Sequence, residues 1–171
     1  MRLINAMPLL SFILVIFILY YSLSLSANPK DYVAKLSELK LPLVEENETL
    51  KTLDLSKFRG KYVVLHLFAS WCKMCKHDTD LIRQISEETK APIIGIAMRD
   101  NLNKVRLLDK AELAYNYITI DSEKEVTRLL NNKAVPETII INPQGIVVFD
   151  YLGTLPESEV EEVIIPAMLE N

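Results

Sequence analysis

The only two cysteines of the chain, Cys72 and Cys75, stand three apart in Trp71-Cys72-Lys73-Met74-Cys75, directly after the run Tyr62-Val63-Val64-Leu65-His66-Leu67-Phe68. Two thiols at that spacing can cycle between a dithiol and a disulfide and so carry two electrons. A bond that closes so small a loop adds little stability, because the benefit of a cross-link grows with loop length, and redox chemistry is the better reason for the pair. The competing chemistry is a metal site, which wants four tetrahedral ligands drawn from Cys, His and carboxylates. His66 and His77 are the only histidines. A lone histidine within an apolar run reads as a strand or core residue, and His77, two after Cys75, points away from it if the segment is helical.

These side chains need elements to hold them. Tyr62 to Phe68 reads as a buried strand entered through the turn Arg59-Gly60-Lys61. From Lys73 to about Thr89, Met74, Leu81, Ile82 and Ile85 fall on helical spacing, and Pro92 stops the helix before a second strand, Ile93 to Met98. Leu102, Val105, Leu108 and Ala111 predict a second helix from Asn101 to Ala114. Tyr117 to Ile120 reads as a short strand, and Ser122-Glu123-Lys124-Glu125 as a capping box opening a third helix through Leu130. Thr138 to Ile141 and Ile146 to Phe149 flank Asn142-Pro143-Gln144-Gly145, whose residues suit a hairpin turn. Glu157 to Leu169 closes the chain as an amphipathic helix with Pro166 as a kink or frayed end. The order βαβα then ββα predicts a parallel crossover followed by an antiparallel hairpin.

The 171 residues leave room for one domain and an appendage. Between Arg2 and Lys30 there is no charged residue, and Met7 to Leu25 is nearly all apolar. At about 1.5 Å per residue, roughly 20 such residues cross a bilayer core. The stretch is an uncleaved membrane anchor or a signal peptide, and Ser24-Leu25-Ser26 before Ala27 fits the small-x-small cleavage pattern. Its length exceeds the ~7–15 residues of a signal core and its Tyr20-Tyr21 pair suits an interfacial belt, which favours the anchor. The expected division is residues 1–28 as anchor or signal segment and 29–171 as the folded domain, with the amino end inside and the domain exported. The net charge of −4 comes from interspersed acids and bases and offers no basic surface to nucleic acid.

The strand, W-C-x-x-C and helix sequence, followed by Ala134-Val135-Pro136 ahead of a further strand, resembles the thioredoxin-like fold. That resemblance implies an α/β domain, a central mixed sheet flanked by helices, with a cis proline at Pro136 facing the cysteines, and the apolar stretch adds an N-terminal transmembrane helix to it. Val135-Pro136-Glu137-Thr138, Ile141-Asn142-Pro143-Gln144-Gly145-Ile146-Val147 and Tyr151-Leu152-Gly153 narrow it. They are similar to the signature of the CcmG/DsbE family, membrane-anchored thiol:disulfide interchange proteins of cytochrome c biogenesis. Phe58-Arg59-Gly60-Lys61 and Ile94-Gly95-Ile96-Ala97-Met98-Arg99-Asp100 match the lead-in to that family's first strand, and its second strand and insertion.

Within that frame Cys72, at the amino end of a helix, is the nucleophile, because unpaired amides and the helix dipole favour the thiolate. Cys75, one turn further in, resolves the mixed disulfide. Trp71 shields the pair, and Trp71, Val135 and Pro136 offer a surface to an extended substrate segment. Lys73-Met74 departs from the Pro-Thr common between the family's cysteines. Lys73 either stabilises the Cys72 thiolate or points into water. The resemblance implies an acidic site made of Glu137, after the proline, and Asp78, three after Cys75, which exchange the proton of Cys75. Asp78 is shorter than the glutamate usual there and reads equally as a surface charge, whereas an acid entering the apolar strand at Glu137 needs a functional reason.

The resemblance further implies reduction of the disulfide of apocytochrome c, or of a maturation thiol protein, with electrons from a membrane thiol reductant. It implies no cofactor beyond the cysteine pair, and a single-pass inner-membrane protein with its domain in the periplasm. A general exported reductase or oxidase of another pathway, a peroxide-reducing relative and a non-enzymatic chaperone or binding subunit are the alternatives.

Overall fold

A computed structural model describes residues 13–17, 36, 38–45, 51–109 and 112–170. By its internal contacts the chain divides into two units, 1–32 and 33–171. In the first, residues 13–17 are helical and their apolar side chains, Ile13 to Phe17, are exposed. Most of the expected anchor, Met7 to Leu25, lies outside the described residues, and among the described residues no helix is long and apolar enough to cross a membrane.

The second unit is built on β3 (Val63–Phe68), all six of whose residues are buried. Covered on both faces, this strand reads as an unbroken apolar run rather than an alternating one. Around it lie β4 (Ile93–Ala97), β5 (Tyr117–Ile120), β6 (Glu137–Ile141) and β7 (Val147–Leu152), in the order β5-β4-β3-β6-β7. β3 pairs with β4, and β4 with β5, in parallel; β6 pairs antiparallel with both β3 and β7. The parallel crossover and the antiparallel hairpin are both as the element order predicts. The hairpin turn is held by the Asn142 side chain, whose oxygen accepts from the amides of Gln144 and Ile146, and by Gly145 at φ 81°.

Val63, Leu65 and Leu67 face one layer, with Ile94, Ile96, Ile139 and Ile141. That layer is closed by α3 (Glu125–Leu129) and by a hairpin absent from the sequence expectations, β1 (Lys40–Pro42) with β2 (Thr52–Asp54). Strands of three residues carry too little pattern to be read in advance. Val64 faces the other layer, made by α1 (Lys73–Thr89) and the C-terminal helical segment. Ile82 and Ile85 of α1, both fully covered, each contribute about 1.5–3 kcal/mol by burial.

Two helix expectations are corrected, and the closing helix, found from Glu157 to Leu169 as expected, is wound differently inside. The second helix, α2 (Leu102–Arg106), is one turn and a half rather than running from Asn101 to Ala114. The amides of Leu107 and Leu108 turn back to carbonyls three residues earlier, tightening the last turn so that the ladder stops. α3 opens at Glu125 after Lys124, which is left-handed and lends no side-chain cap, and the free amides of Val126 and Thr127 go not to Ser122 but to the Asp121 carboxylate, which also accepts from the Thr127 hydroxyl. The closing segment comprises α4 (Glu157–Glu159), a π-helical stretch Val160–Ile164 and α5 (Ile165–Leu169). The Ile165 amide bonds the Val160 carbonyl five residues back, and Pro166, which has no N–H, follows at once. The widened turn continues the helical segment into the proline without breaking it.

Candidate active site

Cys72 ends the loop leaving β3 and caps α1: it holds extended geometry at φ −83° and its sulfur accepts from the Cys75 amide at 3.1 Å. The two sulfurs are joined at 2.07 Å, with Cα atoms 5.4 Å apart. Both cysteines are buried among Phe68, Ala69, Ala97 and Val105, Cys72 at 8% exposure and Cys75 at 4%. Unpaired amides at the start of a 17-residue helix stabilise an anion there, so the better-exposed Cys72 has the setting of a nucleophile. Trp71 and Met74, on either side of Cys72 in the chain, are more than half exposed. Lys73 is exposed on the first turn. Beside the pair a small hollow of about 20 Å³ is lined by Ser70, Cys72, Cys75, Leu108, Leu113 and Tyr115 among others.

The Val135–Pro136 peptide bond is cis, as the resemblance implies. Val135 is half-buried and packs against the cluster that contains both cysteines. The Pro136 carbonyl accepts from the Gly153 amide at 2.8 Å, which ties this loop to the end of β7.

Glu137 opens β6 opposite Leu67 of β3 and Leu152 of β7, with 7% of its surface exposed. Burial pushes its carboxyl up to about 7 from the usual 4.5, a hydrogen bond from Asn132 pulls the other way, and Asp150 adds to the rise. It is therefore an acid that can give or take a proton near neutral pH.

Asp78 sits on the buried face of α1, one turn beyond Cys75, and is fully covered rather than a surface charge. One of its oxygens accepts from the Leu155 amide at 3.2 Å and the other lies 3.5 Å from His66 Nε2. His66 is indeed a strand residue, and its Nδ1 is 2.7 Å from the Tyr115 hydroxyl. Burial pushes the imidazole down against the pull of Asp78, and the Tyr115 hydroxyl is raised by burial and by the same carboxylate. Nε2 and the second Asp78 oxygen face each other at 3.5 Å without a hydrogen bond between them, and the tyrosine can donate to Nδ1 when the imidazole carries its proton on Nε2. Gly95 makes this possible, since a Cβ there would stand 2.5 Å from the Tyr115 ring. His77 is exposed and takes no part.

Glu137 and Asp78 thus lie on opposite faces of the sheet, because Leu67 and His66, their neighbours on β3, alternate in direction. Sequence reasoning missed Tyr115, Asn132, Arg99 and Asp100 as site residues. Asp100 accepts from the backbone N–H of Ser70 and from its hydroxyl, the latter at 2.9 Å, and so fixes the loop two residues before Cys72. No short-range pattern marks partners 30 residues apart.

A family model described as Redoxin matches residues 32–164. The chain belongs to the Redoxin family. Its disulfide, nucleophile position and acid make this member a thiol:disulfide oxidoreductase. It is similar to the thiol:disulfide interchange protein DsbE of Pseudomonas fluorescens biotype C, 28% identical over 160 residues that cover 91% of this chain and 88% of the relative. The thiol:disulfide interchange protein CycY of Rhizobium leguminosarum bv. viciae is 23% identical over 128 residues, 74% of this chain and 69% of that one. In fold this Redoxin member matches a secreted Mycobacterium tuberculosis disulfide oxidoreductase with a TM-score of 0.62, at 17% identity over 78% of this chain and 98% of the other. A secreted thiol-disulfide isomerase from Corynebacterium glutamicum matches with a TM-score of 0.65, at 19% identity over 78% of this chain and 84% of the other.

Proposed function

We propose that this protein is a membrane-tethered reductase of exported disulfides, acting on apocytochrome c or on a maturation thiol protein before haem attachment. The observation that carries the reading is the buried acid Glu137, directly after the Val135–Pro136 bond and titrating near neutrality, on the domain that bears the Cys72–Cys75 pair. Similarity to proteins named DsbE and CycY supports the substrate class.

In the reduced protein the Cys72 thiolate attacks one sulfur of the substrate disulfide. A mixed disulfide forms and the first substrate sulfur leaves as a thiolate. Cys75 then gives its proton to the Glu137 carboxylate and attacks Sγ of Cys72. The second substrate sulfur leaves, both substrate thiolates take up protons, and the Cys72–Cys75 bond holds the oxidising equivalents. A membrane thiol reductant returns two electrons and two protons. Trp71 and Val135 present the surface against which the substrate segment lies, next to the buried Pro136, and Asp78, bonded to the Leu155 amide and facing His66, is a second acid behind Cys75. The N-terminal apolar stretch, Met7 to Leu25, keeps the domain at the outer face of the inner membrane, in the periplasm.

The test is the reduction potential of the full-length protein in detergent, read by Trp71 fluorescence in thiol buffers. A value between about −270 and −200 mV supports an electron donor; one near −120 mV, where strong disulfide donors lie, sinks the reductase reading.

A further inference from the structure

Asn132 lies in the segment between α3 and Pro136 and is 7% exposed. Its side-chain amide makes three contacts whose chemistry leaves a single orientation. The oxygen accepts from the Arg99 guanidinium at 3.1 Å, and the nitrogen donates to the Ala134 carbonyl at 2.7 Å and to the Glu137 carboxyl. A guanidinium offers only donors and a backbone carbonyl only accepts, so a flipped amide would face repulsion on both sides. The NH2 group is thereby committed to Glu137, where it favours the ionised carboxylate. Arg99 withdraws charge through the amide and strengthens that bond.

The groups facing Glu137 come from each neighbouring element. β3 presents Leu67, β7 presents Leu152 in register and the Asp150 carboxylate beside it, and the preceding segment presents Asn132 with Arg99 behind it. Among the described residues, Arg99 is the cation joined to the acid by hydrogen bonds, by way of Asn132. The following residue, Asp100, holds Ser70 in the cysteine loop. Two consecutive residues of the β4–α2 loop therefore fix the redox pair's loop and the orientation of its acid.

We propose that Arg99 is a positioning residue for thiol–disulfide exchange, acting through the Asn132 amide to hold the Glu137 carboxyl for proton exchange with the cysteine pair. This rests on Glu137 being the proton carrier. The site then has an adjustable acid: strengthening or weakening a contact on the exposed guanidinium changes how readily the buried carboxyl releases its proton.

The test uses oxidised full-length protein in detergent micelles with carbon-13 glutamate, following the Glu137 carboxyl signal against pH and assigning it by its loss in Glu137→Gln. Arg99→Met is expected to move the midpoint up by at least half a pH unit, about a threefold change in proton affinity, with Arg99→Lys returning most of it. Asn132→Leu moves it further up, and the acid limb of the exchange rate with a peptide disulfide follows in the same direction. An unchanged midpoint in Arg99→Met overturns the relay; if Glu137→Gln still removes that limb of the rate profile, the proton-carrier reading survives. A wild-type midpoint near 4.5, with a rate profile indifferent to Glu137→Gln, removes both. Should Asn132→Leu fail to fold, the exposed Arg99 variants decide alone.

Discussion

Glu137→Gln tests the buried acid without reference to any substrate. In the folded protein the carboxyl keeps its proton up to about 7, whereas its ordinary value is 4.5. Between these values the native state binds more protons than the unfolded state, so stability falls as pH rises through the window and is level above it. At ~1.4 kcal/mol per unit the shift corresponds to an upper figure of roughly 3 kcal/mol. Screening at the open end of the site reduces this to about 1–2 kcal/mol. Glutamine has nearly the same shape, accepts from Asn132 and never ionises. The variant's advantage should therefore be small at pH 5, where only the first part of the window has been crossed, and about 1–2 kcal/mol at pH 8. Chemical denaturation of the oxidised proteins at both pH values measures this double difference, in which the opposing contribution of His66 cancels. A stability difference that does not change between pH 5 and pH 8 would refute the assignment of Glu137 as a carboxyl held protonated by burial.

Three further outcomes are expected. Cys75→Ser should accumulate a mixed disulfide between Cys72 and a peptide disulfide substrate, detectable by intact mass, and lose turnover; unimpaired turnover would mean that Cys75 is not the resolving thiol. Gly95→Ala places a methyl 2.5 Å from the Tyr115 ring, and thermal unfolding should show a loss of about 1–3 kcal/mol as the Tyr115–His66 contact is pushed apart. Asp121→Ala removes the acceptor for two amides and one hydroxyl at the start of α3 and should cost about 1–2 kcal/mol in denaturant titration. A cost near zero would mean that the Asp121 carboxylate does not stabilise the start of α3.

The redox pair could be read directly because its chemistry is local: two cysteines three apart, after a buried strand and at a helix start, need no distant partner to be recognised. The same holds for β3, α1, β5 and the β6–β7 hairpin, where strand length, helical spacing and the Asn142-Pro143-Gln144-Gly145 turn agree with one another. Glu137 stood out as an acid in an apolar strand. Its oddness pointed to a role, but its proton affinity depends on Asp150, Asn132 and the cover over it, which no neighbour in the chain reveals. The start of α3 was misjudged because the free amides go to whichever oxygen reaches them, and Asp121 reaches them where Ser122 does not; α2 stops early because its last amides turn back three residues instead of four.

What the chain determined by itself was therefore everything carried by short spacing: the dithiol, the alternation of strands and helices, and the mixed sheet that follows from their order. What only the tertiary structure decided was the environment of the titratable groups. His66 meets Tyr115 across 49 residues, Asp78 meets Leu155 across 77, and Arg99 meets Asn132 across 33. Burial and a fixed partner decide whether a carboxyl or imidazole keeps its proton, and both arise only when segments distant in the chain are packed together.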